Sequence, residues 1–423
     1  MQGPARRQGA TGLAAAALAA LGLVLFVTAC GGSGGQGASS SPRPTAPAVS
    51  IVITPRGGEH VKPQKRIVVK AVDGQLVTVS VDSKGAPVNG VLDPASTVWR
   101  SHGTLNTSTR YTVHATARDA AGRTLTATRT FRTLTPHTTF TTQIFQGHGL
   151  SYGVGMPVIL SFSRPIEDRA SVERALHLWT SGPLVGAWYW DGSSTLYFRT
   201  RKYWPAHTKV RFVGNLDGVE ASPGVYGTHT LKQSFVIGES LIAVADTRKH
   251  HVRIYRERHL FAVWPMSSGR PGKETPNGTY LAIEKQNPAH MKGPGYDLQV
   301  PWSVRFTWSG DYVHDAYWSV GSQGFANVSH GCVNLSPANA ETYYKMAVPG
   351  DPVTITGSPK AGKWDDGWTV WFLSWKQLLK GSALHKAVRT GPHGSTLVDP
   401  STLRPSKAKS PLGGPKPGNA AAS

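Results

Sequence analysis

Short apolar runs, alternating with polar positions and broken by turn residues, fill the chain from Ser50 onward. Up to about Thr135 they include Ile51-Val52-Ile53, Ile67-Val68-Val69, Leu76 to Val81, Tyr111-Thr112-Val113 and Thr124 to Thr128. A period of two marks strands with one buried face. Asp73-Gly74, Lys84-Gly85 and Ala121-Gly122 fall between such runs and read as hairpin-type turns. About seven short strands in about 85 residues predict an immunoglobulin-like sandwich over residues 50–135, without the disulfide of antibody domains. A second immunoglobulin-like unit is expected over 136–239, where Met156 to Phe162 and Ser194 to Phe198 read as strands. Ala175 to Trp179 fits strand and helix equally. Trp179, Trp188, Tyr189, Trp190, Tyr203 and Trp204 suit core or interface packing better than a sugar platform, because large aromatics dominate small β cores.

A third unit, 240–357, is also β-rich. Leu241 to Ala245, Val252 to Tyr255, Thr279 to Ile283 and Pro352 to Thr356 read as strands. Gln286 to Gln299 is polar and glycine-rich, the composition of a flap. Ser336 at N-cap and Pro337 at N1 start a short helix that runs to Met346. Residues 358–386 hold Trp364, Trp368, Trp371 and Trp375, the last opening a helical stretch. This segment is too small to fold alone and is expected to pack on a preceding domain. From 387 to 423 the Pro/Gly/Ser/Lys-rich composition predicts a disordered tail. The fold class is therefore mainly β, with two sandwiches, a β-rich third domain and a small Trp-rich extension.

The N-terminus changes the picture. Arg6 and Arg7 precede an uncharged Ala/Leu-rich run from Thr11 to Val27, then Val27-Thr28-Ala29-Cys30. Residues 1–29 have the layout of a secretory signal and are short for a permanent span. The Val-Thr-Ala-Cys end resembles a bacterial lipobox, in which Cys30 is lipidated and becomes the mature N-terminus; an ordinary signal with an incidental cysteine is the alternative. Residues 30–49 then form a Gly/Ser/Pro tether spanning on the order of 25 Å.

Charge and cysteine count narrow the function. Net charge is +21, and loss of the two leader arginines leaves +19. Such a balance suits an anionic lipid or polymer. Neither zinc-finger spacing nor an RNA-binding aromatic signature accompanies it, so nucleic acid is not an expected partner. Only two cysteines occur, Cys30 and Cys332. If Cys30 carries lipid, Cys332 has no disulfide partner in the chain, and an unpaired exported cysteine suggests reactivity.

Cys332 sits in Ser329-His330-Gly331-Cys332-Val333-Asn334, with His314 upstream. A thiol becomes a nucleophile when a nearby imidazole favours the thiolate. Two other readings stand beside this one. Free cysteine often merely packs in a core. A metal site of His314, His330 and Cys332 falls short of the usual ligand count, and no acidic cluster stands nearby.

His314 followed by Ser-His-Gly-Cys-x-Asn resembles the signature of the L,D-transpeptidases, cysteine enzymes that cross-link peptidoglycan stems. Thr275-Pro276-Asn277-Gly278 is similar to that family's Thr-Pro-x-Gly segment, and Trp318-Ser319-Val320-Gly321 with Gln323-Gly324 to its run between the two histidines. The likeness is dense over about 240–357 and architectural elsewhere, where it matches multidomain actinobacterial lipoproteins. It implies Cys332 as nucleophile, His314 as general base and acid, and the Gly331 and Cys332 N–H groups as oxyanion donors. It implies Tyr296 as a flap hydroxyl near the oxyanion, Ser329 as a substrate-binding residue, and His330 and Asn334 as supports that fix the loop and bind substrate. Asp315 departs from the small residue many relatives carry after the first histidine. Its backbone carbonyl is expected to orient His314, and its carboxylate to stabilise the imidazolium. The implied partners are donor and acceptor stems, the membrane through the lipid anchor, and carbapenem-type β-lactams as inhibitors. No cofactor or metal is expected. The implied place is the outer face of the cell membrane, facing the wall. An L,D-carboxypeptidase and a non-catalytic wall-binding lipoprotein remain as alternatives.

Overall fold

Alternation becomes architecture in the first sandwich. The computed structural model describes residues 48–84, 88–293 and 295–403; the leader, Cys30 and most of the tether lie outside these. Ser50–Thr54, Val68–Val72, Val98–Ser101 and Gly90–Leu92 pair in that order into one sheet. Gln75–Ser83, Arg110–Arg118 and Thr124–Arg132 form the other. In Arg110–Arg118 every second residue, Tyr111, Val113, Ala115 and Ala117, is buried, and these meet Ile67, Val69, Trp99 and Phe131. Asp73-Gly74 is not a hairpin turn, because the strands it joins belong to opposite sheets. It is a corner packed so closely that a Cβ on Gly74 would collide with Val49 and the Arg118 carbonyl. Ala121-Gly122 does close a hairpin, between Arg110–Arg118 and Thr124–Arg132.

The two sandwiches share a local device. The Asn106 N–H donates to Tyr111 Oη at 2.7 Å, and the Gly147 N–H to Tyr152 Oη at 2.8 Å. Each buried tyrosine thereby ties a strand to the corner before it. Between the sandwiches, Asp217 Oδ1 accepts from the Thr107 N–H and hydroxyl.

In the second unit the ambiguous segment is a strand, Leu176–Thr180, directly preceded by a short helix, Arg169–Arg174, whose C-cap is Ala175. Trp188, Trp190 and Trp204 are buried in its core beside Phe198 and Phe212, as packing aromatics. Its larger sheet has the order Gly394–Val398, Ala387–Gly391, Leu184–Asp191, Thr195–Thr200, Val158–Phe162, Thr142–Ile144. Its first two strands correct the expectation of a disordered tail from 387. Ala387 to Val398 is a hairpin that extends this sheet, with Leu184 opposite Thr390 and Gly186 opposite Val388.

A buried carboxylate fixes the approach to that hairpin. Glu173 accepts from Trp190 Nε1 (2.8 Å), the Ser382 hydroxyl (2.7 Å) and the Ala383 N–H (2.7 Å). The tryptophans of 358–386 pack on the second sandwich. Trp371 Nε1 donates to the Gly155 carbonyl at 2.7 Å, with the Arg199 guanidinium 4.5 Å above its ring. Trp364 Nε1 donates to Asp191 at 3.2 Å. Helix Trp375–Lys380 is closed by a Ser374/Gln377 capping box.

The third unit holds two sheets. One has the order His259–Pro265, His251–Arg256, Leu241–Asp246, Pro352–Thr356, Gly278–Leu281. The other has Glu284–Gln286, Ser303–Arg305, Tyr312–Asp315, Val333–Leu335. Ala243, Ile254, Val304, Phe306, Val313, Val333 and Ile355 share one core. Helix Pro337–Met346 begins at Ser336, whose hydroxyl accepts from the Asn339 N–H. Ala289–Gly293 and Tyr296–Val300 pair as a separate hairpin, where composition predicts the flap.

Candidate active site

Cys332 is brought alongside the strand of His314 because two short strands run parallel. Val313 is opposite Val333 and His314 opposite Asn334, so the loop ending in Cys332 arrives beside Tyr312–Asp315. Apolar residues at 313, 333 and 335 bury this pair of strands. The functional groups therefore stand on rigid elements.

The loop is held by its own polar groups. Ser329 Oγ donates to the Cys332 carbonyl (2.7 Å) and accepts from the Gly331 N–H (3.1 Å). Thr275 Oγ1, buried, donates to the Gly331 carbonyl (2.6 Å) and accepts from the Gly269 N–H (2.9 Å). The Asn334 N–H donates to the Ser267 carbonyl (2.8 Å), and its side-chain amide to Ser319 Oγ (3.0 Å). Gly331 has φ +143°, and a Cβ there would collide with Asp311 Oδ1. Only glycine suits that backbone and that approach.

The geometry corrects three sequence expectations. Gly331 was read as an oxyanion donor, but its N–H is engaged by Ser329, and its contribution is conformational. The Cys332 N–H has no hydrogen-bond partner among the described residues. Ser329 is expected to bind substrate, and Asn334 both to support the loop and to bind substrate; only the support is seen. Both are buried and bonded inward, so they shape the loop from behind. Asp315 was read as a carboxylate beside the imidazolium. Adjacent residues on a strand point to opposite faces. The imidazole contacts the Asp315 backbone carbonyl, and among the described residues the carboxylate Oδ1 is buried without a hydrogen-bond partner.

His314 is buried, and its Nδ1 lies 2.6 Å from the Asp315 carbonyl oxygen. A carbonyl has no proton to give, so Nδ1 carries the hydrogen and Nε2 the lone pair. Burial pushes the imidazole down to about 4, with the Asp315 carbonyl opposing. Trp318 stacks on the ring, with centroids 6.0 Å apart and planes at 29°. Cys332 as a residue is half-buried. Burial, then Asp311, pushes it up to about 12, against the Tyr312 N–H that donates to Sγ at 3.4 Å. At neutral pH the resting pair is thus neutral thiol and neutral imidazole. Proton transfer belongs to the attack step, with Nε2 as the acceptor.

Tyr296 and His330 frame the mouth. Their rings lie 5.2 Å apart, His330 exposed and Tyr296 half-buried. Burial, then Cys332, raises the Tyr296 phenol, which stays protonated and able to donate. Burial, then Arg270 and Lys273, lowers His330. Sequence reasoning noticed Thr275 and Trp318 only as parts of motifs and passed over Asp311 altogether. No group of three or more His, Cys, Asp or Glu side chains among the described residues is arranged to hold a metal.

Known proteins are similar to this chain. A model of the bacterial Ig domain matches residues 58–220, across both sandwiches, and the model of the L,D-transpeptidase catalytic domain matches residues 240–355. L,D-transpeptidase 2 of Mycobacterium tuberculosis (strain CDC 1551 / Oshkosh) is 33% identical over 324 residues, covering 72% of this chain and 79% of its own length. L,D-transpeptidase 5 of Mycobacterium tuberculosis (strain H37Rv) is 32% identical over 397 residues, covering 90% and 86%. Among solved structures, LD transpeptidase LdtMt1 in complex with imipenem is 35% identical, covering 52% of this chain and 100% of that one, at a TM-score of 0.45. An L,D-transpeptidase from Mycobacterium smegmatis is 36% identical, covering 51% and 97%, at 0.42. With its bacterial Ig region, its catalytic-domain match and full-length relatives at this identity, the chain belongs to the L,D-transpeptidases and is an enzyme of that kind.

Proposed function

We propose that this enzyme joins two peptidoglycan stems by a 3→3 cross-link. The Cys332 thiol attacks the carbonyl of the bond between the L-centre of the third stem residue and D-Ala, while His314 Nε2 takes its proton. The Tyr312 N–H stabilises negative charge growing on Sγ, and the Cys332 N–H with the Tyr296 hydroxyl stabilises the oxyanion. The imidazolium then protonates the departing D-Ala, leaving an acyl thioester. The side-chain amine of a neighbouring stem resolves it. What supports this reading above all is a thiol held against the strand that carries a buried imidazole, whose fixed Nδ1–H leaves the Nε2 lone pair to act as base. Carbapenem-type β-lactams acylate the same sulfur in this account, because a strained lactam carbonyl presents the same electrophile.

The N-terminal pattern adds a place to the reaction. Cys30 carries the lipid anchor at the outer face of the cell membrane, and the +19 charge of the mature chain favours anionic lipid and wall polymer. Radiolabelled fatty acid entering the wild-type chain and not the Cys30→Ala chain in cells supports the anchor; equal labelling refutes it.

The purified protein, incubated with a disaccharide-tetrapeptide and read by mass spectrometry, tests the reaction. A dimer lacking one D-Ala, absent with Cys332→Ala, is the expected product. Tripeptide alone makes the enzyme a carboxypeptidase. Absence of both, with no carbapenem adduct on Cys332, leaves a wall-binding protein.

A further inference from the structure

A carboxylate stands beside the nucleophile, where it makes the first half of the reaction harder. Asp311 precedes the strand of His314, and its Oδ1 lies against the Cα of Gly331, the residue before Cys332. Its backbone is fixed: its N–H donates to Thr307 Oγ1 at 2.7 Å and its carbonyl accepts from the Phe306 N–H at 3.0 Å. The same turn presents the Gly310 carbonyl 3.8 Å from Sγ and the Tyr312 N–H at 3.4 Å. Gly310, Asp311 and Tyr312 therefore wrap the sulfur from one side. The Asp311 charge reaches both Cys332 and Tyr296, raising each.

The C-terminal extension holds this turn in place. Asp366 accepts from the Ser309 N–H (2.6 Å) and the Ser309 hydroxyl (2.7 Å). Asp366 and Lys360, both from the extension, are the charged groups that act on Asp311 most strongly, with opposite signs. Tyr280, Tyr296 and the Cys332 thiol also feel its charge. Burial, then Asp366, pushes the carboxyl up to about 6, with Lys360 and Thr307 opposing. It is mostly ionised at pH 7 and close to neutrality in affinity for a proton.

An anion beside a thiol disfavours the thiolate and gives nothing back during acylation. The second half of the reaction differs, because the acceptor arrives as a cation. An alkylammonium has a pKa near 10 and cannot attack until it loses a proton. We infer that Asp311 is a catalytic residue of the acceptor half-reaction, binding the incoming ammonium beside the thioester and taking its proton. This rests on the transpeptidase reading given above.

The ammonium gives one proton to the Asp311 carboxylate. The freed nitrogen lone pair forms the C–N bond at the thioester carbonyl. Collapse of the tetrahedral intermediate breaks the C–S bond, and a second nitrogen proton passes, through His314, to the departing thiolate. The third stays on the amide. Asp311 releases its proton to solvent before the next turnover. Water needs no such cation site, so Asp311 favours aminolysis over hydrolysis of the same thioester.

The test is the product partition of the full chain with a disaccharide-tetrapeptide, measured as dimer over tripeptide, beside the rate of acylation by imipenem. Asp311→Asn keeps size and removes charge. It is expected to speed acylation by about threefold, because a neighbouring negative charge no longer opposes the thiolate. The partition is expected to fall at least about tenfold, the low end for loss of a general base. In wild type the partition falls as pH drops through about 6, and in Asp311→Asn it does not. Asp311→Glu restores part of it. A partition within twofold of wild type overturns the assignment. Acylation and partition falling together reveal a structural role only and overturn it as well. If wild type reacts with imipenem yet forms tripeptide and no dimer, the transpeptidase reading itself fails, a result separate from either.

Discussion

Cys332 and His314 rest uncharged, and the chemistry follows from that. The imidazole, held down to about 4, stays a base across the physiological range. Acylation by imipenem is therefore expected to be nearly flat from about pH 5.5 to 8. Stopped-flow rates with an acid limb near the ordinary histidine value of about 6.5 would contradict a buried neutral base. Asp315→Ser should leave that profile unchanged, since only the backbone carbonyl faces the ring. Thr275 holds the loop through two hydrogen bonds. Thr275→Val leaves the Gly331 carbonyl and the Gly269 N–H without their partner in a buried place. A loss on the order of 2 kcal/mol in urea unfolding is expected, with slower acylation. At this scale the pair Cys332 and His314 was legible, because one unpaired thiol and two histidines at fixed spacing are a chemical statement in themselves. The direction of side chains was not. Ser329 and Asn334 are polar and sit in the motif, yet both turn inward, and a motif records identity without orientation. Asp311 was invisible because its approach to Gly331 joins positions twenty residues apart through a fold.

Elements show the same division. Helix Pro337–Met346 and the capped helix Trp375–Lys380 could be read locally, since caps and prolines act within one turn. The hairpin Ala387 to Val398 could not, because its partner strand, Leu184–Asp191, lies two hundred residues upstream and the local composition is that of a tail. Asp73-Gly74 misled for a related reason: a turn dipeptide does not say whether the next strand stays in the sheet or crosses to the other. Glu173 binds the extension to the second sandwich by accepting from Ser382, Ala383 and Leu384 of the extension and from Trp190 of the sandwich. Glu173→Ala removes the acceptor from all of them, and a destabilisation on the order of 3 kcal/mol is expected. Hydrogen exchange should then quicken at 387–398 before it does in the first sandwich. Unchanged protection there would mean the hairpin stands without that anchor.

Across the whole molecule, the second sandwich and the catalytic unit meet at a buried acid. Asp351 Oδ2 accepts from the Val348 N–H at 2.7 Å, and its Oδ1 has no hydrogen-bond partner among the described residues. Gly153 and Gly155, from the second sandwich, donate backbone N–H groups to the adjoining Pro349 and Gly350 carbonyls. Burial raises the Asp351 carboxyl well above its ordinary value. A raised folded-state pKa for an acid means the folded chain binds the extra proton. Its stability contribution is then greatest at low pH and declines as pH rises above the unfolded value of about 3.9. Asp351→Asn is expected to raise the melting temperature at pH 7.5 and to change it little at pH 4. The reverse order would show that the carboxylate is stabilised there by charge. The +19 surface acts at longer range, and raised salt should weaken wall association more than turnover of a small soluble stem.

The most direct measurement is the covalent intermediate itself. The protein, mixed with a donor tetrapeptide and quenched in acid within the first turnover, is digested and its peptides mapped by mass spectrometry. The account predicts a thioester on Cys332 carrying the stem less one D-Ala, and no adduct in Cys332→Ala. An adduct on another residue, or release of D-Ala that persists in Cys332→Ala, would contradict it.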